Sequence, residues 1–234
     1  MIEIENIFYS EPATIVNGFL ELRGQEAKHA SKVMRFKVGD TLHASDGVGN
    51  IYESEIIEIN KSKITGRITE TIHEEQPGFK KVVAFGAIKK RDRLEFAIEK
   101  AVELGAWEIC IFHADHSERS RINKERIQTI ALSAFKQCKR FWLPKVVFID
   151  SLDEVMDHYA DHKPIMAFMQ AGTEEPTELK ESKNIFLVGP EGGFSDREAK
   201  IAVEKGAKLI TLGAYRLRAE TAVIAILSQF LFTK

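Results

Sequence analysis

From Lys80 onward, short apolar runs alternate with stretches in which apolar residues recur at helical spacing, and this alternation restricts the region to an α/β architecture with a largely parallel sheet. The strand candidates are Val82–Gly86, Glu108–Phe112, Val146–Ile149, Ile165–Met169, Ile185–Val188 and Leu209–Leu212, with helices between them. In the first helix Leu94, Ala97, Ile98, Ala101 and Val102 make one apolar stripe, and Gly105 supplies a C-terminal stop. In the second, Ile127, Ile130, Ala131, Ala134, Phe135 and Cys138 fall on one face, with Lys136, Lys139 and Arg140 on the other. A third opens with the capping-box spacing Ser195-Asp196-Arg197-Glu198 and stops at Gly206. The last, from about Glu220 to Phe232, is apolar nearly all round, so it needs cover on several sides, which a sheet plus a partner subunit could provide.

The region before Lys80 reads differently. Residues 1–72 are short β-rich runs punctuated by turns, and the alternation from Asp40 to Asn60 around Asp46-Gly47 is a hairpin signal; a small β-barrel or sandwich fits. A short helix is expected between Glu26 and Phe36, with His29, Lys32 and Arg35 on one face. The polar segment His73–Gly78, which contains Pro77, reads as a linker, so the expected domains are 1–72 and 73–234. A total of 33 Lys and Arg against 35 Asp and Glu argues against a protein that coats nucleic acid indiscriminately. The charge is unevenly spread, however. Lys80–Lys145 holds 15 basic against 8 acidic residues, whereas residues 1–72 hold 8 against 11, so a basic middle segment can face phosphates. Cys110 and Cys138 each stand alone in apolar surroundings and read as reduced buried thiols. With neither a basic start followed by an apolar run nor a stretch of about 18 apolar residues, a soluble cytoplasmic protein is expected.

Two segments carry chemistry. Val188–Ser195 (VGPEGGFS) is a glycine-rich turn between a buried strand and a capped helix, where glycines permit positive φ and close approach of a ligand. Its spacing matches neither the dinucleotide nor the Walker pattern, and taken alone it reads equally well as a tight βα turn. Leu212–Ala222 also follows an apolar strand and precedes an apolar helix. Both loops should therefore emerge at the carboxyl edge of one sheet, where open α/β sheets bind ligands, with Arg218, Glu220 and Thr221 along that edge. For Arg218 and Glu220 in isolation, a helix-start ion pair is the commoner arrangement. His113 and His116 form an H-x-x-H beside Asp115, but no further ligand set is evident and no metal is expected.

Gly189–Ala199 (GPEGGFSDREA) followed by Leu212–Ala222 (LGAYRLRAETA) resembles the paired signature of the ribosomal RNA uridine-N3 methyltransferases of the knotted SPOUT superfamily. Further matches are Lys89–Gly105 (KKRDRLEFAIEKAVELG), Ser117–Ser120 (SERS), Ala134–Pro144 (AFKQCKRFWLP) and His29–Asp40 (HASKVMRFKVGD), so the resemblance spans nearly the whole chain in order. It implies an N-terminal PUA-like β-barrel that binds RNA and a C-terminal α/β domain tied in a deep trefoil knot. It also implies a homodimer, S-adenosylmethionine as cofactor, and methylation of N3 of one uridine in small-subunit (16S) ribosomal RNA. General rules of chain topology would instead give an unknotted doubly wound sheet. The chain departs from the family pattern at Asn6-Ile7-Phe8, where many relatives carry an arginine before the Phe. It departs again at Tyr215-Arg216, where relatives often have Arg and then an aliphatic residue.

By the same resemblance the cofactor lies bent in a cleft of three loops. These contribute Phe168, Met169 and Gln170; then Val188, Gly189, Pro190, Glu191, Gly192 and Gly193; then Leu212, Gly213, Leu217, Arg218 and Thr221. Glycine and apolar side chains suit a flat adenine. Uridine N3 keeps its proton at neutral pH; a cation beside O2 or O4 could lower that barrier and a carboxylate could accept the proton, and Arg218 and Glu220 are the residues expected in these roles. RNA contacts are expected from Lys32, Arg35, Lys89, Arg91, Arg93, Arg119, Arg121, Lys139 and Arg140. For Arg91 a solvated pair with Glu95 is the plain alternative. Two rival readings stay open: a knotted methyltransferase of transfer RNA, and a non-catalytic RNA-binding factor of ribosome assembly.

Overall fold

A computed structural model describes residues 6–118, 122–169 and 183–230. Contacts divide the chain into two units, Met1–Gln76 with Phe135–Leu143, and Pro77–Ala134 with Pro144–Lys234.

In the first unit β1 (Ile7–Tyr9), β2 (Ile15–Val16), β3 (Phe19–Arg23), β4 (Thr41–Ser45), β5 (Asn50–Ile59) and β6 (Lys63–His73) form one sheet in the order β1-β4-β5-β6-β3-β2. Only β1 with β4 is parallel. The hairpin expected around Asp46-Gly47 is β4–β5, and Asp46 shapes its turn. The buried carboxylate accepts from the backbone N–H groups of Val48 and Asn50, from Nδ2 of Asn50 and from the Tyr52 hydroxyl. Burial, reinforced by the Asp46 charge, pushes Tyr52 up to about 12. Register shifts at Glu53/Ser54 and Ile56/Glu58 bend the two longest strands. Phe8, Leu20, Leu22, Leu42, Ile56 and Ile64 gather in one core.

The helix expected between Glu26 and Phe36 is shorter and irregular. Helix α1 (Gly24–Lys28) runs into a π-type turn, His29–Val33, and Arg35 lies beyond it in the left-handed region at φ 57°. Lys32 and Arg35 are both exposed, but they do not share a helical face. The expected linker also starts late, because β6 continues through His73.

Residues Phe135–Leu143 complete this unit. Gly49 donates to the carbonyl of Phe141, Leu143 donates to that of Gly47, and Trp142 Nε1 donates to that of Glu74. A Cβ at Gly49 (φ 109°) would stand 2.6 Å from the Trp142 ring, so this position requires glycine. The expectation for the basic residues here is corrected. The helix Lys124–Gln137 ends before Lys139, which reverses the chain at φ 54°, and Arg140 is half-buried, where desolvation depresses its guanidinium pKa. Lys136 is an ion-pair partner of Glu26 at 2.5 Å. The three do not form an exposed helical face.

The second unit holds β7 (Lys80–Gly86), α2 (Arg91–Glu103), β8 (Glu108–Phe112), most of α3 (Lys124–Gln137), β9 (Lys145–Ile149), α4 (Leu152–His158), β10 (Lys163–Ala167), β11 (Lys183–Val188), α5 (Asp196–Glu204), β12 (Lys208–Ile210) and α6 (Ala219–Ser228). Its sheet is parallel throughout, in the order β12-β10-β11-β7-β8-β9. The central strands β7 and β11 are buried along nearly their whole length, as a parallel sheet covered on both faces demands. On one face Val82, Ala84, Phe112 and Leu187 pack with Val155 and Met156 of α4 and Ala199 and Ala202 of α5. On the other, α2 packs on α6, and Phe186 stacks on Phe230 at 4.7 Å between ring centroids. The five residues expected on the first helix's stripe are the five that α2 buries. Buried Lys81 donates from Nζ to the carbonyls of Leu104 and Phe230, satisfying acceptors just past the ends of α2 and α6. Among the described residues no helix is long and apolar enough to cross a membrane.

Candidate functional site

Strands β12, β10 and β11 are neighbours and parallel, so the three loops leaving their carboxyl ends share one edge of the sheet. There they enclose a cavity of about 890 Å³, within the range of small-molecule sites. Ala167, Phe168 and Met169 line it from β10, Val188 to Arg197 from the β11–α5 turn, and Thr211, Leu212, Gly213, Tyr215, Arg216 and Leu217 from the β12–α6 loop. Ala219 and Ala222, one turn apart on α6, and His116 from the loop after β8 complete the wall. Strands β10 and β12 end two residues earlier than the sequence suggests, because Phe168, Met169 and Leu212 leave the sheet to face this cavity.

The β11–α5 turn is built around absent side chains. A Cβ on Gly189 would stand 2.9 Å from the backbone of Gly193 and of Phe194, and one on Gly192 would stand 2.7 Å from His116 Cβ. Gly193 takes φ 74° and donates to the Pro190 carbonyl at 2.9 Å, closing the turn. Arg216 donates to the Glu191 carbonyl at 2.9 Å, and the Glu191 carboxylate accepts the Lys89 backbone N–H at 3.1 Å. The two glycine-bearing loops are thus tied directly, and the segment entering α2 is tied to them.

The start of α5 is a buried polar junction. Glu198, fully buried, accepts the backbone N–H groups of Ser195 at 2.9 Å and Asp115 at 3.1 Å, and Ser195 Oγ accepts from Glu198 N, completing the capping box foreseen from sequence. Glu198→Gln is expected to lower stability by about 1–3 kcal/mol in denaturant titration, because an amide presents one acceptor oxygen where two buried N–H donors need two. Beyond it, Arg197 forks onto Asp115 at 2.8 and 3.0 Å and reaches Asp153 at 3.0 Å. The Arg197 guanidinium, helped by Ser195, holds the Asp115 carboxyl at about 2. A carboxylate depressed in the folded state stabilises above its ordinary pKa of 3.8, and that contribution is lost as the pH falls through about 2. The site is exposed, so Asp115→Asn should cost no more than about 1 kcal/mol at neutral pH, and its deficit against wild type should close in that acid window. Asp115, beside the H-x-x-H motif, is engaged by Arg197.

Of the residues expected at the cofactor, Phe168, Met169, Val188, Gly189, Pro190, Glu191, Gly192, Gly193, Leu212, Gly213 and Leu217 line the cavity, and Gln170 lies outside the described residues. Arg218, exposed at the N-cap of α6, Glu220 and Thr221 do not line it. Glu220 is buried; its Oε1 lies 3.6 Å from Nε of Arg93, and its Oε2 has no hydrogen-bond partner among the described residues. The ion pair at this helix start therefore runs to α2 and not to Arg218. Among the expected RNA contacts, Arg91 pairs with Glu95 at 2.8 Å, Lys89 pairs with Glu118, and Arg119 and Arg121 lie outside the described residues. His116, Ser195 to Arg197, Tyr215 and Arg216 line the cavity without being among the residues assigned to the cofactor from sequence, although Val188–Ser195 and Leu212–Ala222 were read as segments that carry chemistry. Ser195 to Arg197 directly continue the glycine turn and were legible as such, whereas His116 arrives from a strand distant in sequence.

A family model described as an RNA methyltransferase domain matches residues 74–231. The chain belongs to this family. A second model, described as an RNA methyltransferase PUA domain, matches residues 22–69 of the same chain. Among curated relatives, the ribosomal RNA small subunit methyltransferase E of Rickettsia conorii is 29% identical over 234 residues, covering 96% of this chain and 94% of its own. The protein of the same name from Mesomycoplasma hyopneumoniae is 30% identical over 188 residues, 76% of this chain and 82% of its own. The crystal structure of a ribosomal RNA small subunit methyltransferase E from Neisseria gonorrhoeae bound to S-adenosyl methionine superposes with a TM-score of 0.82 at 27% identity, covering 96% of each chain. The cavity of this RNA methyltransferase thus belongs to the domain that the first model spans.

Proposed function

We propose that this chain transfers a methyl group from S-adenosylmethionine to N3 of one uridine in small-subunit ribosomal RNA. The observation that carries the reading is the cavity formed by three adjacent strand ends, where Gly189 and Gly192 leave no room for a Cβ and Phe168, Val188, Leu212 and Leu217 supply apolar walls for an adenine. Bound there, the cofactor supplies an electrophilic methyl on a sulfonium, chemistry that needs no metal. The chain's own tasks are to hold that group in line with the acceptor nitrogen and to remove the N3 proton. We assign the cation beside the uridine carbonyl oxygens to Arg218, exposed one residue beyond cavity-lining Leu217, and the proton acceptor to Glu220, whose Oε2 is buried and unsatisfied beside cavity-lining Ala219. The first unit, with exposed Lys32 and Arg35, is assigned to RNA binding, and the knot is carried by the three loops of the cavity. A homodimer is proposed from α6, where Ala222, Ile224 and Ala225 are only half-buried within the chain. Ribosome assembly makes the cytoplasm the proposed compartment.

Calorimetric titration with S-adenosylmethionine should give saturable binding, and its absence would leave a non-catalytic RNA-binding factor. Nucleoside mass spectrometry of a deletion strain should lose 3-methyluridine from small-subunit RNA; loss from transfer RNA instead would move the substrate to that class.

A further inference from the structure

Two large side chains on the cavity are turned to solvent. Tyr215 is 85% exposed and Met169 58% exposed, and both line the cavity. Tyr215 makes no hydrogen bond or ring contact with any described residue. Gly213, two residues before it, turns the chain at φ 89°, and the side chain of Arg216, just after it, donates to the Glu191 carbonyl at 2.9 Å. The Arg216 contact restrains the loop on one side of the ring and so lowers the entropic cost of presenting it. A ring so exposed is also poorly placed to enclose a cofactor, a task left to the half-buried or buried Val188, Leu212 and Leu217.

We propose that Tyr215 is the platform on which the target pyrimidine, or the base beside it, stacks as the RNA enters the site, with Met169 as a softer contact on the cavity wall. The proposal rests on the RNA-methylation reading above. A base must leave its helical stack for N3 to reach the methyl, and an aromatic face is what recompenses lost stacking without regard to base identity. Arg216, next to the ring in sequence, adds positive charge on the side where the adjoining phosphates would run.

The test compares Tyr215→Ala and Tyr215→Phe with wild type in three measurements. These are affinity for S-adenosylmethionine, methyl transfer to small-subunit RNA resolved into KM and kcat, and binding of a short single-stranded RNA with and without an abasic site at the target uridine. Tyr215→Ala should raise KM for RNA ~10-fold or more while leaving cofactor affinity unchanged, and it should erase the wild-type preference for the intact over the abasic strand. Tyr215→Phe should behave as wild type. Equal loss in both variants would make the hydroxyl the active feature and overturn the proposal, as would weakened cofactor binding in Tyr215→Ala or an unchanged KM. If the wild-type protein methylates no RNA, the functional reading fails, but the abasic comparison still decides whether Tyr215 stacks on a base.

Discussion

Gly189→Ala should weaken S-adenosylmethionine binding by about 5- to 150-fold. The added Cβ would stand 2.9 Å from the Gly193 carbonyl carbon, 2.9 Å from the Phe194 nitrogen and 3.0 Å from the Gly193 Cα, and all three are backbone atoms. No rotamer change relieves a clash with backbone, so the turn itself must open. Inserting one carbon into a close-packed site costs about 1–3 kcal/mol, which gives the stated range if the strain falls on the loop that holds the cofactor. Gly193 supplies the internal comparison. A Cβ there meets no atom within 4 Å, but the backbone sits at φ 74°, so the cost is conformational alone. Gly193→Asn, whose side chain tolerates the left-handed region, should bind nearly as wild type, and Gly193→Val should not. Calorimetry paired with denaturation midpoints separates loss of the site from loss of the fold. Unaltered cofactor affinity in a folded Gly189→Ala protein would remove this turn from the binding site.

The contrast between these two glycines marks how far sequence can be read. That both belong to a turn between a buried strand and a capped helix was legible, because Ser195 and Glu198 announce the helix start and the apolar run to Val188 announces the strand. Which glycine is demanded by contact and which by φ was not, since that depends on how closely the backbone of Gly193 and Phe194 folds back on Gly189. The α2 stripe was readable to the residue because helical periodicity is local. Boundaries at β10 and β12 were not, because apolar Phe168, Met169 and Leu212 prolong the strand pattern while their side chains serve the cavity. Basic residues were the least legible. A cation shows no period, and only packing distinguished exposed Lys32 from Lys136, committed to Glu26, and from half-buried Arg140. Inclusion of Phe135–Leu143 in the first unit rests on hydrogen bonds to Gly47 and Gly49, which no local pattern encodes.

Glu220→Gln should lower turnover by about 10²- to 10⁴-fold and leave cofactor affinity intact, the range expected when a positioned proton acceptor is removed. The amide keeps the volume and burial of the carboxylate, so packing at the start of α6 is preserved and only basicity is lost. A competing explanation is that Glu220 serves only to anchor α6 to α2 through Arg93. At 3.6 Å between Nε and Oε1 that pair is too long for a good hydrogen bond and acts mainly through charge. Arg93→Gln separates the two roles. If anchoring were the whole role, Arg93→Gln and Glu220→Gln would fall together; the proton-acceptor role predicts that Arg93→Gln loses about tenfold or less. The pH dependence adds an independent sign. Each unit by which the working pH approaches the pKa of N3 lowers the cost of its ionisation by about 1.4 kcal/mol, so an enzyme without its acceptor gains more from alkaline conditions than wild type does. The Glu220→Gln deficit should therefore shrink steadily as pH rises above neutrality. A deficit constant across that range would reassign Glu220 from proton transfer to holding the helix in place.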